Sequence, residues 1–308
     1  MSTGPVATPG TIPAVEDPLL VAASDEMVVA TDLRARRDRG LRHDRQLLFG
    51  LIVVLILGLL IPLAPLVAGY DPTRSDLSAR LLAPSWAHPF GTDTNGLDIL
   101  SRIIYAPRVD LTIALASTAI AALIGTPLGI LAGYRRGVMG EALMRVGDVV
   151  LAFPIFVLAL AVVAAVGEGT PQVILVLGFV QIPIYLRLMY GSTHALAGRA
   201  FVESARLSGA SPWRIVFRHI LPNAASPLFA QVSVTLGVSI LLASGLSFVG
   251  AGVQPPTPEW GSMIATGAPD IVTGQWWPSV FPGLAIGITV MSFALVAERL
   301  SFHYDRAV

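Results

Sequence analysis

After its first 45 residues, almost the whole chain alternates long apolar runs with polar segments that carry arginine. Crossing about 30 Å of hydrocarbon takes about 20 apolar residues at a rise of about 1.5 Å each. Six runs come near that length, at 47–68, 111–134, 149–166, 171–186, 227–249 and 280–297, and none has an ionised residue in its interior. The runs at 149–166 and 171–186 are short, and Pro171 and Pro183 interrupt the second. A bundle accommodates such prolines when neighbouring helices satisfy the backbone groups they free. The pattern predicts an all-α membrane protein of about six transmembrane helices.

Arginine orients the bundle. With the N-terminus inside, the inner segments hold Arg34, Arg36, Arg37, Arg39, Arg42 and Arg45, then Arg135, Arg136 and Arg145. They also hold Arg187, Arg199, Arg206, Arg214 and Arg218, and finally Arg299 and Arg306. Only Arg74, Arg80, Arg102 and Arg108 are left outside. Positive residues concentrate on the cytoplasmic side of membrane proteins, so N-in, C-in is the expected topology. Residues 1–45 sustain no apolar period and end in the arginine cluster; they read as a disordered, basic cytoplasmic tail ahead of a membrane domain at 46–308. The tail lacks a basic start followed at once by an apolar core, so it does not read as a cleavable signal peptide.

Composition narrows the function. The 308 residues are 54% hydrophobic and 13% charged with zero formal net charge, and the mean hydropathy is +0.71. Zero net charge gives no electrostatic case for nucleic acid. No Cys is present, which excludes disulfides and thiolate chemistry. No Lys is present either. A phosphate-cradling G-x-x-x-x-G-K-[ST] loop needs that Lys, so ATP-driven work here requires another chain to bind the nucleotide. His43, His88, His194, His219 and His303 are scattered without metal-ligand spacing, and no catalytic constellation stands out.

Two outer segments differ in character. The first, at 69–110, holds Asp71, Asp76, Asp93, Asp98 and Asp110; the i, i+5 spacing of Asp93 and Asp98 suits turns or caps better than a metal. The second, at 250–279, contains Trp260, Trp276 and Trp277, rings suited to a membrane interface or a docking surface. Within the spans, Thr235, Ser239 and Ser244 fit two roles, lining a path or bonding their own helix backbone.

The cytoplasmic segment at 187–226 carries the sharpest signal. Residues 201–208 suit a short helix that Gly209 ends. Ser211 is a good N-cap and Pro212 a good first helical residue. A second helix is expected to about Leu221, with Trp213, Val216, Phe217 and Ile220 on one face and Arg214 and Arg218 on another. The predicted shape is helix, sharp turn, amphipathic helix, held out of the membrane toward a partner.

At these residues the sequence resembles a known family. Glu203-x-Ala205-x-x-x-Gly209 followed by Ile220-x-Pro222 is similar to the cytoplasmic EAA loop of binding-protein-dependent ABC import permeases, with Ser204 where a second Ala is usual. Gly91-Thr92-Asp93-x-x-Gly96-x-Asp98 through Arg102, and Leu246 through Met263, resemble the second of the paired permeases of the dipeptide, oligopeptide and nickel group. Two departures stand out: Leu97 where Arg is common, and Ala297-Glu298-Arg299-Leu300 where Gly-Asp-Gly-Leu is usual.

The resemblance implies a type I, MetI-like importer bundle in a prokaryotic inner or plasma membrane. Glu203, Ser204, Ala205, Arg206, Gly209 and Ala210 would form a coupling helix docked on a cytoplasmic ATPase. Asp93, Asp98 and Arg102 would contact an extracytoplasmic substrate-binding protein. The remaining implied partners are a second, homologous permease and membrane lipid. ATP and Mg would bind the ATPase subunits and no cofactor would bind this chain, which is then no enzyme. Dipeptides or short oligopeptides are the implied cargo, with nickel or another small solute as the alternative. An ion-coupled secondary transporter is the remote rival, and the lack of ionisable residues inside the spans weighs against it.

Overall fold

The computed structural model describes residues 45–135 and 137–304, with side chains through residue 298. The tail at 1–45 therefore lies outside the described residues, Arg45 excepted, as do Arg136 and Arg306. The unit from Leu47 onward contains the membrane helices.

The chain opens with α1 (Arg45–Val67). The outer segment follows and ends in α2 (Ile99–Tyr105), which runs directly into α3 (Pro107–Arg135). Next come α4 (Val138–Leu151) and α5 (Ile155–Val166), then α6 (Thr170–Ala197). The cytoplasmic segment forms α7 (Ala200–Leu207) and α8 (Pro212–Ile215). Then α9 (Leu221–Phe248) returns outward, α10 (Trp260–Gly267) lies in the second outer segment, and α11 (Trp277–Tyr304) closes the bundle. Among the described residues, five helical stretches are each long and apolar enough to cross a membrane.

The sixth expected span takes a different form. The run at 149–166 is split between α4 and α5, which meet at an angle of 87°. The break falls at Ala152-Phe153-Pro154. Proline disfavours helical backbone in the residue before it, so the helix stops short of Pro154 and restarts after it. Only α4 and α5 taken together amount to a sixth span. The run at 171–186, in contrast, belongs to the longer α6, with Pro171 in the first turn and Pro183 inside the helix. Neither proline ends that helix, which continues to Ala197, past the expected start of the cytoplasmic loop.

The tightest packing joins α3 to α6. Gly125, Gly129 and Gly133 recur every fourth residue, which places them in one row along α3. A Cβ at Gly125 would stand 2.5 Å from the Ile182 carbonyl oxygen, one at Gly129 2.5 Å from that of Leu186, and one at Gly133 2.7 Å from that of Tyr190. The facing carbonyls also step by four, so the two helices run parallel with their backbones in near contact. Lipid supplies no hydrophobic drive between helices, and such close approach supplies the dispersion contacts and Cα–H···O contacts that hold them instead.

A polar tie joins the same helices to α9. Gln181 donates through Nε2 to Ser239 Oγ at 3.1 Å and to the Leu177 carbonyl at 2.9 Å. Ser117 Oγ lies 3.3 Å from Ser239 Oγ. All three side chains are fully buried. Thr235 bonds the Gln231 carbonyl of its own helix at 2.8 Å. Ser239 therefore joins three helices within the chain and Thr235 serves its own backbone. At the first helix, a Cβ at Gly50 would meet the Ser292 carbonyl oxygen at 2.8 Å, which sets the approach of α1 to α11.

Substituting Gly129 with Ala is expected to destabilise the purified protein by about 1–3 kcal/mol, the range for overpacking against unyielding neighbours. Gly58→Ala is the control, because a Cβ there meets nothing within 4 Å. Thermal unfolding in detergent, read by the loss of the monodisperse peak, distinguishes the two. Equal midpoints would contradict the packing account.

Candidate functional site: the cytoplasmic loop and the outer cap

On the cytoplasmic side, α7 is anchored by a single face. Val202 is 0% exposed and packs in a cluster with Ile130, Met189, Ile215, Val216 and Ile220. Glu203, Ser204, Arg206 and Leu207 are exposed, and Ala205 is half-buried. Glu203 lies in the first turn and Arg206 in the last, which suits the helix dipole at both ends. The helix closes with Gly209 N–H donating to the Arg206 carbonyl and Ala210 N–H to the Ala205 carbonyl, both at 3.0 Å. Gly209 takes φ +76°. A Cβ there would meet nothing within 4 Å, so glycine is needed for backbone conformation rather than for space. Ser211 Oγ then accepts from Arg214 N–H at 3.4 Å, with Pro212 leading α8. The structure thus brings Glu203, Ser204, Ala205, Arg206, Gly209 and Ala210 together in one short helix and its closing turn.

The second helix differs from expectation. It does not end near Leu221 but passes through a wide turn at Val216–Ile220 into α9. Hydrogen bonds spaced by five rather than four residues shift the register there. Val216 and Ile220 are accordingly buried, whereas Trp213 and Phe217 are 71% and 60% exposed. Their rings stack at a centroid distance of 5.9 Å. Trp213, Val216 and Phe217 nonetheless line one apolar groove, while Ile220 turns into the buried cluster.

On the outer side, the two extramembrane segments are tied into a cap. Asp98 caps α2 by accepting from Ser101 N–H at 2.8 Å through Oδ2. Its Oδ1 lies 2.9 Å from His88 Nδ1, and the His88 ring stacks on Tyr70 at 4.6 Å. Asp93 accepts from the N–H groups of Asn95 and Leu97 at 2.8 and 2.9 Å. Arg102, 4% exposed, donates to the Pro72 carbonyl at 2.8 Å and to the Pro256 carbonyl at 3.1 Å, linking the first outer segment to the second. Trp277 Nε1 donates to the Thr92 carbonyl at 3.2 Å. Deeper in, Glu259 caps α10 with both oxygens, on Gly261 N–H at 3.0 Å and Ser262 N–H at 2.6 Å. Trp260 N–H turns instead to Asp110 Oδ2 at 3.4 Å.

Asp93, Asp98 and Arg102 are all buried, with their hydrogen bonds directed into the cap. Asp98 nonetheless borders a polar hollow on the outer face, and Asp93 and Arg102 border a smaller one beside Pro255 and Pro256. The exposed polar surface beside them is a hollow of about 590 Å³ lined by Tyr70, Asp71, Arg74, Ser75, Asp76 and His88, among others. Burial pushes the Asp93 carboxyl above the ordinary carboxylate range, against its two N–H donors. Hydrogen bonds from Thr73 and Ser78 hold exposed Asp71 and Asp76 below it. Among the described residues no group of three potential ligands could hold a metal ion.

A polytopic helical membrane protein with an ordered cap on one face and a projecting short helix on the other is the class these observations define. Residues 125–308 match the family of binding-protein-dependent transport system inner membrane components, and residues 39–84 match the N-terminal transmembrane domain of oligopeptide transport permease C. A di/tripeptide transport permease of Pseudomonas aeruginosa is 38% identical over 264 residues, 84% of this chain and 87% of the relative. A glutathione transport permease of Pectobacterium atrosepticum is 39% identical over 273 residues, 88% of this chain and 90% of the relative. Among solved structures, the inward-facing MetNI methionine ABC transporter aligns with a TM-score of 0.55 at 19% identity, covering 67% of this chain and 97% of that one. The chain belongs to the binding-protein-dependent transport system inner membrane components: it is a membrane-spanning permease subunit of an ABC importer, with the MetI-like bundle, in the bacterial inner membrane.

Replacing Arg102 with Met leaves the buried Pro72 carbonyl without that donor, at a cost of about 1–3 kcal/mol, and unties the exposed Pro256. Faster proteolysis of the outer segment in right-side-out vesicles is the expected result. The Asp93 carboxyl, raised on folding, contributes stability that is full below the unfolded value of about 3.9 and is lost as pH rises through the folded value. Asp93→Asn keeps an acceptor oxygen and removes that term. Its melting temperature relative to the parent should therefore rise between about pH 4 and pH 7; a flat difference would contradict the assignment.

Proposed function

We propose that this chain forms half of the translocation path of an ATP-driven importer of dipeptides or short oligopeptides, beside a second homologous permease. ATP and Mg bind two cytoplasmic ATPase sites on other chains, since this one lacks the lysine a phosphate loop requires. An extracytoplasmic binding protein delivers the solute to the outer cap. Closure of the ATPases is transmitted through Glu203, Ser204, Ala205, Arg206, Gly209 and Ala210, and the bundle re-orients between outward and inward access.

The observation that carries this reading is the geometry of α7. Val202, its one buried side chain, anchors it in the bundle with half-buried Ala205 packed against the same cluster, while Glu203, Ser204 and Arg206 are left exposed to meet a partner. The anchor lies in the same cluster as Ile130 of α3 and Met189 of α6, so displacement of α7 acts directly on the most tightly packed helix pair. On the outer face, Asp93, Asp98 and Arg102 act by fixing the shape of the cap, and the binding protein meets the exposed hollow around Asp71 and Arg74. The peptide cargo rests on the named relatives, which carry di/tripeptides and glutathione. Nickel is the alternative, and competition by unlabelled dipeptide against nickel separates the two.

Glu203→Lys reverses a charge on the exposed face. Gly209→Pro imposes φ near −65° where the turn needs +76°. In proteoliposomes holding the complete transporter, each variant should lower ATP-dependent dipeptide uptake at least tenfold while membrane insertion and basal ATP hydrolysis persist. Parental uptake in both variants would overturn the proposal.

A further inference from the structure

Beyond solute transport, the cytoplasmic half of α3 carries a groove that the transport cycle does not explain. It encloses about 300 Å³ between Thr126–Arg135 of α3 and the Pro212–Leu221 stretch, and its walls are almost wholly apolar: Leu128, Leu131, Tyr134, Trp213 and Phe217 are the main contributors. From Thr126 to Arg135 the helix rises about 14 Å. That is close to half of the about 30 Å hydrocarbon core, the depth of one leaflet. Arg135 ends α3 on the arginine-rich, cytoplasmic side, so the groove opens into the inner leaflet. Trp213 stands at its rim, at the level where tryptophan favours the membrane interface.

The charges at the mouth have one sign. Arg135 lines the groove, and the Arg206 guanidinium lies 5.1 Å over the ring of Tyr134, another lining residue. Among the described residues neither arginine takes part in an ion pair, and no carboxylate lines the groove. An apolar slot one leaflet deep, closed at its polar end by uncompensated arginine, complements a molecule with an acyl chain and an anionic head. We propose that the groove is a binding site for an anionic phospholipid of the inner leaflet, with one acyl chain along α3 between Leu128 and Phe217 and the phosphate at Arg135. Because Arg206 belongs to α7 and lies over Tyr134 of the groove wall, the bound lipid abuts the same helix that faces the ATPase.

The test uses the assembled transporter in vesicles and the fluorescence of Trp213, isolated as the difference between the parent and Trp213→Phe. Dibrominated phosphatidylglycerol should quench this component at least threefold more effectively than dibrominated phosphatidylcholine at equal mole fraction. Arg135→Gln should reduce that ratio to near one, and Arg135→Lys should retain most of it. Equal quenching by the two lipids in the parent would reveal ordinary annular lipid and overturn the proposal. Quenching by neither lipid would show that a protein segment fills the groove, and a preference unchanged in Arg135→Gln would remove the headgroup site; both results also overturn it.

Discussion

Close backbone contact between α3 and α6 is the constraint on which the rest of this permease depends. Three glycines at four-residue spacing let α3 meet the Ile182, Leu186 and Tyr190 carbonyls and the Cβ atoms of Tyr185, Met189 and Thr193 with no side chain of its own in the way. In a bilayer, apolar side chains gain little by leaving lipid for protein, so association rests on dispersion and polar contacts that demand such proximity. The other elements take their positions from this pair. Gln181 reaches from α6 to Ser239 of α9, and Ser117 of α3 meets the same hydroxyl. Neither contact would form if the first two helices stood a methyl group further apart.

The two faces use this rigid centre in opposite ways. The outer face is locked: Arg102 and Trp277 donate to backbone from distant segments, and Glu259 caps the helix that follows it. The inner face is left open, with α7 held by one buried valine. A short helix with few buried contacts has little local stability of its own. That suits a piece that must follow a moving partner, provided it remains joined to the core it displaces. The buried cluster around Val202 supplies that connection.

Much of this was legible in the sequence, for reasons that differ by element. Length and hydropathy marked the spans because a bilayer imposes both, and arginine marked the inner side. Gly209, Ser211 and Pro212 marked the ends of α7 and α8 because each residue type suits a particular backbone position. The 87° break between α4 and α5 was not anticipated, although Pro154 signalled it; an apolar run conceals a bend, because hydropathy does not register direction. Trp213, Val216 and Phe217 share a groove wall as helical spacing predicts, but the five-residue turn at 216–220 that carries the helix on into α9 has no residue-type signature. The burial of Asp93, Asp98 and Arg102 escaped as well, since apart from His88 beside Asp98 their partners are backbone carbonyls and amides that carry no side-chain signature. The glycine row on α3 was present as Gly125, Gly129 and Gly133. Its spacing is a recognised helix-contact signal, but only the opposing carbonyls of α6 identify what it meets.

The account rests on one claim above the others, that this chain works as part of an ATP-driven assembly rather than alone. Gentle affinity purification of the tagged chain from native membranes, with mass spectrometry of what accompanies it, tests that claim most directly. The account predicts recovery of a second permease of the same family and of ATPase subunits carrying a phosphate-binding loop. A monodisperse single chain that still transports solute after reconstitution, without ATP, would contradict it.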